Sequence, residues 1–250
     1  MFDAEAAARF LIGQRKADAI LGAALPEEFR PKTLQEAIAV QMATMKVLGP
    51  IGGWKVGAAN AAAEPSASPL PLSGIQKSPA TIRARTRLVE CEIGFRFAKA
   101  LPPRGTPYTA AEVMAAIGTC QATIEAVDPR FSDFTKLDQL TFLADCGIHG
   151  GLVVGEPIAA WEPGMFAGLH VVSTVNGTLQ REAVGSNPGG TDLMRLLVWL
   201  ANSEVVRAAG GLAEGVVVTT GTWTGADLLP AGAHVVGRFD GFAPVEATFI

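Results

Sequence analysis

The chain has 250 residues, of which 49% are hydrophobic and 18% are charged, and its formal net charge is -4 at pH 7. This length and composition predict one well-packed globular unit, since a domain commonly holds ~100 to 200 residues. The mild acidity and the lack of a basic tract argue against nucleic acid as a partner. No apolar run reaches the ~18 residues that a membrane span requires, and the acidic N-terminus does not resemble a signal peptide. We therefore expect a cytoplasmic protein that binds neither nucleic acid nor membrane.

Helical patterns dominate the first part of the chain. Apolar residues recur with helical spacing from residue 3 to about residue 20 and again from residue 33 to about residue 47. Pro26 and Pro31 interrupt the pattern between these two stretches. We therefore expect residues 1–50 to form a helical N-terminal region.

From residue 51 onward the pattern changes to short β-rich runs that glycine and proline separate. Asn176-Gly177 lies between two such runs, and this dipeptide is a strong local signal for a β-hairpin. One late helix is expected from about residue 190 to residue 201. These elements predict an α+β fold in which residues 51–250 form a β-rich domain with a coiled or barrel-like sheet.

Two glutamates stand two residues apart in the apolar run VECEIGF, at Glu90 and Glu92. Residues i and i+2 of a β-strand point to the same face, so both carboxylates would project side by side. A half-buried pair with no basic residue between its members needs protonation or a cation. A third acid, Glu125, has apolar neighbours on both sides in the run TIEAV. Because oxygen ligands favour hard cations, we predict a site for Mg²⁺, Mn²⁺ or Ca²⁺ rather than Zn²⁺.

The alternative is that Glu90 and Glu92 lie on a solvated strand face, which is the commoner explanation of an arbitrary Glu-x-Glu pattern. The run LVECEIGFRF is too apolar for an ordinary edge strand. An acid between apolar neighbours, such as Glu125, is also unfavourable unless something pairs with it. Both observations favour the cation site.

Four further residues are candidates for ligand contacts. Lys55 lies between apolar neighbours in GWKVG, where the alternative is an ordinary exposed lysine at a strand end. Asp145 in FLADCG is either a functional acid or a turn or helix-cap residue. Gly221 and Thr222 follow the run GVVVT, where glycine permits close backbone approach and a hydroxyl offers a donor to a carboxylate. The alternative for this pair is a plain turn between a strand and a loop.

The segment from residue 58 to residue 74 reads AANAAAEPSASPLPLSG. Its alanines, prolines and serines give little to pack and favour bends. One interpretation is a surface linker. The other is a lid or wall over the cation site, because the segment joins the Lys55 strand to the glutamate strand.

The order of these motifs resembles the fumarylacetoacetate hydrolase superfamily, and within it the branch of 2-keto-4-pentenoate hydratases and 4-oxalocrotonate decarboxylases. The resemblance covers nearly the whole chain, and the motifs that carry it are GWKVG, VECEIGF, TIEAVDPR, FLADCG, GSNPGGTDLMRLLVWLA and GVVVTTGTWTG. It implies a coiled mixed β-roll, with residues 51–250 as the catalytic domain. It also implies that the protein forms a homo-oligomer.

The resemblance further implies a set of site residues. Members bind Mg²⁺ or Mn²⁺ through three carboxylates, which here would be Glu90, Glu92 and Glu125. Lys55 would hold the carboxylate or the developing oxyanion of a 2-oxo acid substrate, and Asp145 or a metal-bound water would transfer protons. Gly221 and Thr222 would belong to the substrate pocket.

The reaction implied is the addition of water to a 2-hydroxy-2,4-dienoate of the 2-keto-4-pentenoate type, through a dienolate, to give a 4-hydroxy-2-oxo acid. Such a hydro-lyase would act in aromatic compound catabolism. The same metal site would also serve decarboxylation of a 2-oxo-3-enedioate or C–C hydrolysis of an acylpyruvate, and a third alternative is a non-catalytic member that acts as a partner subunit.

Two departures from the family bear on the choice of reaction. The hydrolase branch activates water with a His-Glu pair near the N-terminus, and no histidine precedes His149 here, which argues against the hydrolase. Hydratases commonly carry an acid in the segment that reads PLPLSGIQKS here. Glu64 or Ser73 would have to replace that acid in proton transfer.

Overall fold

The structure, a computed structural model, describes residues 2–17, 20–22 and 24–250. The helices within these ranges are α1 (Ala4–Lys16), α2 (Leu34–Leu48), α3 (Ala110–Ala116), α4 (Gln139–Ala144), α5 (Leu193–Asn202) and α6 (Glu204–Ala208). The strands are β1 (Ile51–Gly57), β2 (Ser66–Pro71), β3 (Ile75–Lys77), β4 (Ala80–Ile82), β5 (Leu88–Phe97), β6 (Ile117–Val127), β7 (His149–Val154), β8 (His170–Val175), β9 (Thr178–Val184), β10 (Val217–Thr222), β11 (Asp227–Leu228), β12 (Ala233–Phe239) and β13 (Val245–Phe249). No helix in the described ranges is long and apolar enough to cross a membrane.

Helices α1, α2 and α3 begin at side-chain caps. The carboxylate of Asp3 accepts a hydrogen bond from the Ala6 amide at the start of α1, and the Thr33 hydroxyl accepts one from the Glu36 amide at the start of α2. Thr109 and Glu112 form a complete capping box before α3. The first helical pattern was expected to reach residue 20, but α1 ends at Lys16. Residues 18 and 19 of that expectation lie outside the described residues.

Two mixed sheets form the centre of the molecule and confirm the predicted α+β class. The larger sheet has the order β2-β1-β10-β5-β6-β7-β3, with β11 paired to β5, and the smaller has the order β4-β13-β12-β8-β9. The predicted hairpin joins β8 to β9, where both residues of the Asn176-Gly177 turn have the left-handed conformation that this turn requires. Strands β12 and β13 pack on β6, so the core lies between the two sheets.

Helices α2 and α4 pack on β2, the edge strand of the larger sheet. The Gln41 amide of α2 donates a hydrogen bond of 3.0 Å to the Ser68 hydroxyl of β2. The helices α1, α2 and α4 share a small apolar core of their own that includes Leu11, Val40 and Leu143. The division of the chain into residues 1–50 and 51–250 stays a prediction.

The interpretation of residues 58–74 as a surface linker is wrong for its second half. Residues 66–71 form β2, which pairs antiparallel with β1, and residues 72–74 form a short 3₁₀ turn. The alternation of small and apolar residues lets β2 be buried along most of its length. The segment is therefore part of the sheet that carries Lys55.

Candidate metal centre

Three glutamates meet on one face of the larger sheet. Strands β5 and β6 are antiparallel neighbours, and their register places Glu90 directly opposite Glu125. Glu92 lies two residues along β5 and shares the same face. One carboxylate oxygen from each lies within 4.8 Å of the others. Glu92 is 1% exposed and Glu125 is fully buried, so the solvated-face interpretation is wrong.

The Glu125 carboxylate is hydrogen-bonded to two side chains, Lys55 and His149. Its Oε1 atom accepts hydrogen bonds from Lys55 Nζ of β1 at 2.7 Å and from His149 Nδ1 of β7 at 2.9 Å. Burial alone would raise the pKa of Glu125, but Lys55 and His149 lower it below its usual value. The Oε2 atom is buried without a hydrogen-bond partner. Glu125 therefore presents an ionised carboxylate with one free oxygen.

Glu92 is held from the opposite side. Its Oε2 atom accepts hydrogen bonds from the Thr219 hydroxyl of β10 and from the Gly221 amide at 2.9 Å. Thr219 in turn contacts the Thr123 hydroxyl at 3.1 Å. Burial, together with the charges of Glu125 and Glu90, raises the pKa of Glu92 well above its usual value.

Glu90 is half-buried, and burial raises its pKa to about 7, with Lys55 opposing and Glu125 adding to the shift. Such crowding of carboxylates is relieved when a cation binds between them. Two oxygens on opposite sides of Mg²⁺ are ~4 Å apart, and those around Ca²⁺ are ~4.6 to 5.2 Å apart, given the usual metal–oxygen distances. The three carboxylate oxygens all lie within 4.8 Å of one another, which leaves them close enough to converge on one hard divalent cation. The free oxygen of Glu125 and the all-oxygen donor set fit the predicted metal.

Lys55 joins the cluster as a cation. Besides Glu125, its ammonium donates a hydrogen bond of 3.0 Å to the carbonyl of Gly147. Burial lowers the pKa of Lys55, but the charges of Glu125, Glu90 and Glu92 outweigh it and raise the pKa above its usual value. An ammonium has three donors, and these two bonds leave one for a ligand.

Asp145 lies apart from this cluster, in a buried ion pair. Both of its carboxylate oxygens accept hydrogen bonds from Arg130 Nε, at 2.7 and 2.8 Å, and Arg15 of α1 lies 3.9 Å away. Arg15 and Arg130 also donate to the carbonyl of His149. The expected role of Asp145 in proton transfer stays a prediction. Its contacts are those of a residue that positions the chain before β7.

The turn between Asp145 and His149 has an unusual backbone. Cys146, Gly147 and Ile148 have φ angles of 51°, 60° and 54°, in the left-handed region that non-glycine residues rarely adopt. The two arginines bind the carbonyls at both ends of this turn, on Asp145 and His149. The turn is thereby held where the Gly147 carbonyl accepts the hydrogen bond from Lys55.

Gly221 and Thr222 line a cleft of about 170 Å³ together with Glu90, Glu92 and Lys55. Gly221 has a φ of 90°, and this conformation lets its amide reach Glu92. The Thr222 hydroxyl donates to the carbonyl of Gly225 at 3.1 Å. Both residues border the metal cluster, and their contact with substrate stays a prediction.

Sequence reasoning missed Thr123 and Thr219, which orient Glu92, and it did not select His149 as a site residue. A signal for Thr219 was present, because it lies two residues before Gly221 at the end of the same apolar run. Burial lowers the pKa of His149, so its imidazole is neutral and donates from Nδ1 to the ionised Glu125. His149 Nε2 is buried without a hydrogen-bond partner.

The fold is similar to that of several solved enzymes. The 4-oxalocrotonate decarboxylase from Pseudomonas putida G7, complexed with magnesium and adipate, has a TM-score of 0.81 at 22% identity, and the match covers 99% of this chain and 97% of that one. The same enzyme complexed with calcium and acetate has a TM-score of 0.82, also at 22% identity and with the same coverage. The 2-hydroxyhepta-2,4-diene-1,7-dioate isomerase from Mycobacterium marinum has a TM-score of 0.55 at 20% identity, over 80% of this chain and 76% of that one.

No curated protein sequence matches the chain with significance. The sequence profile of the fumarylacetoacetate hydrolase C-terminal family matches residues 73–250. This match includes all three glutamates of the cluster and spans most of the chain. The resemblance inferred from the motifs is confirmed: the chain belongs to the fumarylacetoacetate hydrolase family.

Proposed function

We propose that the protein is a divalent-metal-dependent hydratase that adds water to a 2-hydroxy-2,4-dienoate and forms a 4-hydroxy-2-oxo acid. The observation that carries the proposal is the buried cluster of Glu90, Glu92 and Glu125, with the Lys55 ammonium bound to Glu125. A dication and this ammonium together balance the three carboxylates. The completed site would therefore accept a 2-oxo acid anion without a large electrostatic penalty.

The three glutamates would hold the metal, and Mg²⁺ or Mn²⁺ would supply a Lewis acid for the carboxylate and keto oxygens of the substrate. Lys55 has one ammonium proton left after its bonds to Glu125 and Gly147. As an ammonium held by Glu125, it can donate this remaining hydrogen bond to the substrate. We assign it to the oxygen on which negative charge develops.

Proton transfer to carbon needs a further group near the substrate. Of the two residues considered as substitutes for the family acid, Glu64 lines the cavity that adjoins Lys55, and Ser73 does not. The Glu64 carboxylate accepts a hydrogen bond from the indole of Trp199, which fixes its position in the cavity wall. We therefore favour Glu64 as the group that relays protons over the predicted Asp145, whose two carboxylate oxygens are bound to Arg130.

Decarboxylation of a 2-oxo-3-enedioate is the second candidate. The similarity over nearly the full chain to a 4-oxalocrotonate decarboxylase, solved with magnesium and adipate, supports it. The same metal and lysine arrangement would serve both reactions, because both need electrons withdrawn toward the 2-oxo group. The complete set of carboxylates and Lys55 argues against a non-catalytic partner subunit.

The test follows the loss of dienoate ultraviolet absorbance after treatment with EDTA and after Mg²⁺ is restored. We expect activity to disappear and return, and Glu90→Gln to abolish it, while Glu214→Gln at an exposed position has no effect. Mass spectrometry of the product then separates the candidates. A 4-hydroxy-2-oxo acid formed from the dienoate supports hydration, and carbon dioxide released from a 2-oxo-3-enedioate supports decarboxylation. Activity that is independent of metal would refute both.

A further inference from the structure

Two cavities meet at the end of β1. The first is the cleft of about 170 Å³ beside Glu90 and Glu92, and the second has a volume of about 820 Å³. Lys55, Gly57 and Ala58 line both. A side chain added at Gly57 would meet no atom within 4 Å, so the space at this junction is open. A ligand whose polar head lies at the metal cluster can therefore extend past Gly57 into the larger cavity.

The wall of the larger cavity is mainly apolar. Leu34 and Ile38 come from α2, Phe142 and Leu143 come from α4, and Trp199 comes from α5. Its volume exceeds what a three- or four-carbon acid fills, since cavities of ~300 to 1,000 Å³ usually hold ligands of drug size. The volume and the apolar part of the lining favour a ligand with an extended apolar tail.

The charges in the same wall are unfavourable for a second carboxylate. Of the described residues that line the larger cavity, Lys55 alone is basic, and its ammonium is bound to Glu125. The acids Glu64 and Glu204 line the cavity as well. A carboxylate at the end of a substrate tail would gain no cation there and would face the like charges of Glu64 and Glu204, which are both exposed.

We infer that the preferred substrate is a 2-oxo acid, or its dienol tautomer, with an apolar tail of several carbons and no second carboxylate. This inference rests on the proposed function for the position of the acid head. It disfavours 2-oxo-3-enedioates as substrates, because the carboxylate that they would lose as carbon dioxide lies at the far end of the chain. It therefore separates hydration from decarboxylation by the chemistry of the tail.

The test is calorimetric binding in the presence of Mg²⁺, with two eight-carbon acids that differ only at the far end, 2-oxooctanoate and 2-oxosuberate. We expect 2-oxooctanoate to bind at least about tenfold more tightly than 2-oxosuberate, and on the order of 100-fold more tightly than pyruvate. Equal or tighter binding of the diacid, or no binding of either eight-carbon acid, would overturn the inference.

A charge-reversal pair tests the cause of the preference. Glu204→Arg places a cation in the cavity wall, whereas Glu214→Arg makes the same change at an exposed position outside it. We expect only Glu204→Arg to reduce the preference for 2-oxooctanoate over 2-oxosuberate, by about tenfold. An unchanged ratio in a folded Glu204→Arg protein, verified by its circular dichroism, would show that wall charge does not select the tail.

The binding test and the turnover test have separate outcomes. Preference for the diacid with metal-dependent hydration of a dienoate would refute the tail assignment and leave the hydratase in place. Preference for 2-oxooctanoate without turnover of any dienoate would refute the hydratase and leave the cavity as an apolar 2-oxo acid site.

Discussion

Replacement of Lys55 by methionine removes the cation from the carboxylate cluster while keeping the length of the side chain. The ammonium makes a bond of 2.7 Å to Glu125, whose carboxylate is fully buried, and the lysine side chain is itself only 18% exposed. Removing one partner of a buried ion pair typically costs about 3 to 5 kcal/mol of folding free energy. For a protein of this size that loss lowers Tm by on the order of 10 °C.

The loss of folding stability in Lys55→Met should depend on pH, because Glu125 can become neutral by taking up a proton. In the native protein Lys55 helps to lower the pKa of Glu125. Without Lys55, burial raises that pKa above the unfolded value of ~4.3. The folded variant then binds more protons than the unfolded chain above this value, so its stability falls as pH rises. We expect the free energy of unfolding of Lys55→Met to differ little from that of the native protein at pH 5 and to show the full loss at pH 8.

The assay is urea unfolding of the metal-free native protein, Lys55→Met and Lys77→Met across this pH range. Lys77 is an exposed lysine of β3 and serves as the control for loss of a positive charge. Added Mg²⁺ should recover part of the stability of Lys55→Met, because a dication replaces the missing counter-charge. If the free energies of unfolding of the native protein and Lys55→Met change with pH in parallel, the electrostatic account of the cluster is refuted.

Three further perturbations follow from the same contacts. Because the pKa of Glu90 is raised to about 7, Mg²⁺ competes with a proton for this carboxylate. Calorimetry should therefore show tighter Mg²⁺ binding and less proton release as pH rises from 6 to 8. A Kd for Mg²⁺ that does not change with pH would contradict this. Arg130→Gln removes the nearer cation of the buried Asp145 and leaves it with Arg15, 3.9 Å away, so it should cost up to about 3 to 5 kcal/mol in urea unfolding. Arg130→Gln combined with Asp145→Asn should recover part of that loss, and no recovery would contradict the ion pair. Gly221→Val forces a β-branched residue to adopt a φ of 90°, so it should lower stability by about 1 to 3 kcal/mol and weaken Mg²⁺ binding. Unchanged Mg²⁺ binding would show that the Gly221 amide is not needed to hold Glu92.

The ligands of the cluster could be predicted because local rules place them. The period of two in a strand puts Glu90 and Glu92 on one face, and the apolar neighbours of Glu125 mark it as an acid that needs a partner. The register that sets Glu90 opposite Glu125 could not be predicted. Register depends on how β5 and β6 pair over their whole length, and the sequence of either strand alone does not state it.

Residues that act through distant contacts were the harder part to predict. Thr219 is separated from Glu92 by 127 positions, and Arg15 is separated from His149 by 134. The sequence does not show whether a hydroxyl or a guanidinium will be hydrated or will donate to a buried acceptor. Asp145 was selected from its motif, and the structure gives it Arg130 as a partner because the chain reverses between β6 and α4.

These distant contacts connect the N-terminal helices to the metal cluster. Arg15 at the end of α1 and the buried Arg130 bind the turn before β7, and that turn presents the Gly147 carbonyl to Lys55. Lys55 and His149 then share the same oxygen of Glu125, which leaves the other oxygen free. The orientation of the third carboxylate is therefore determined jointly by the helical region and the sheet. Since α2 and α4 also supply the apolar wall beside Lys55, these two helices shape the space for the substrate tail, while α1 helps to position the metal ligand.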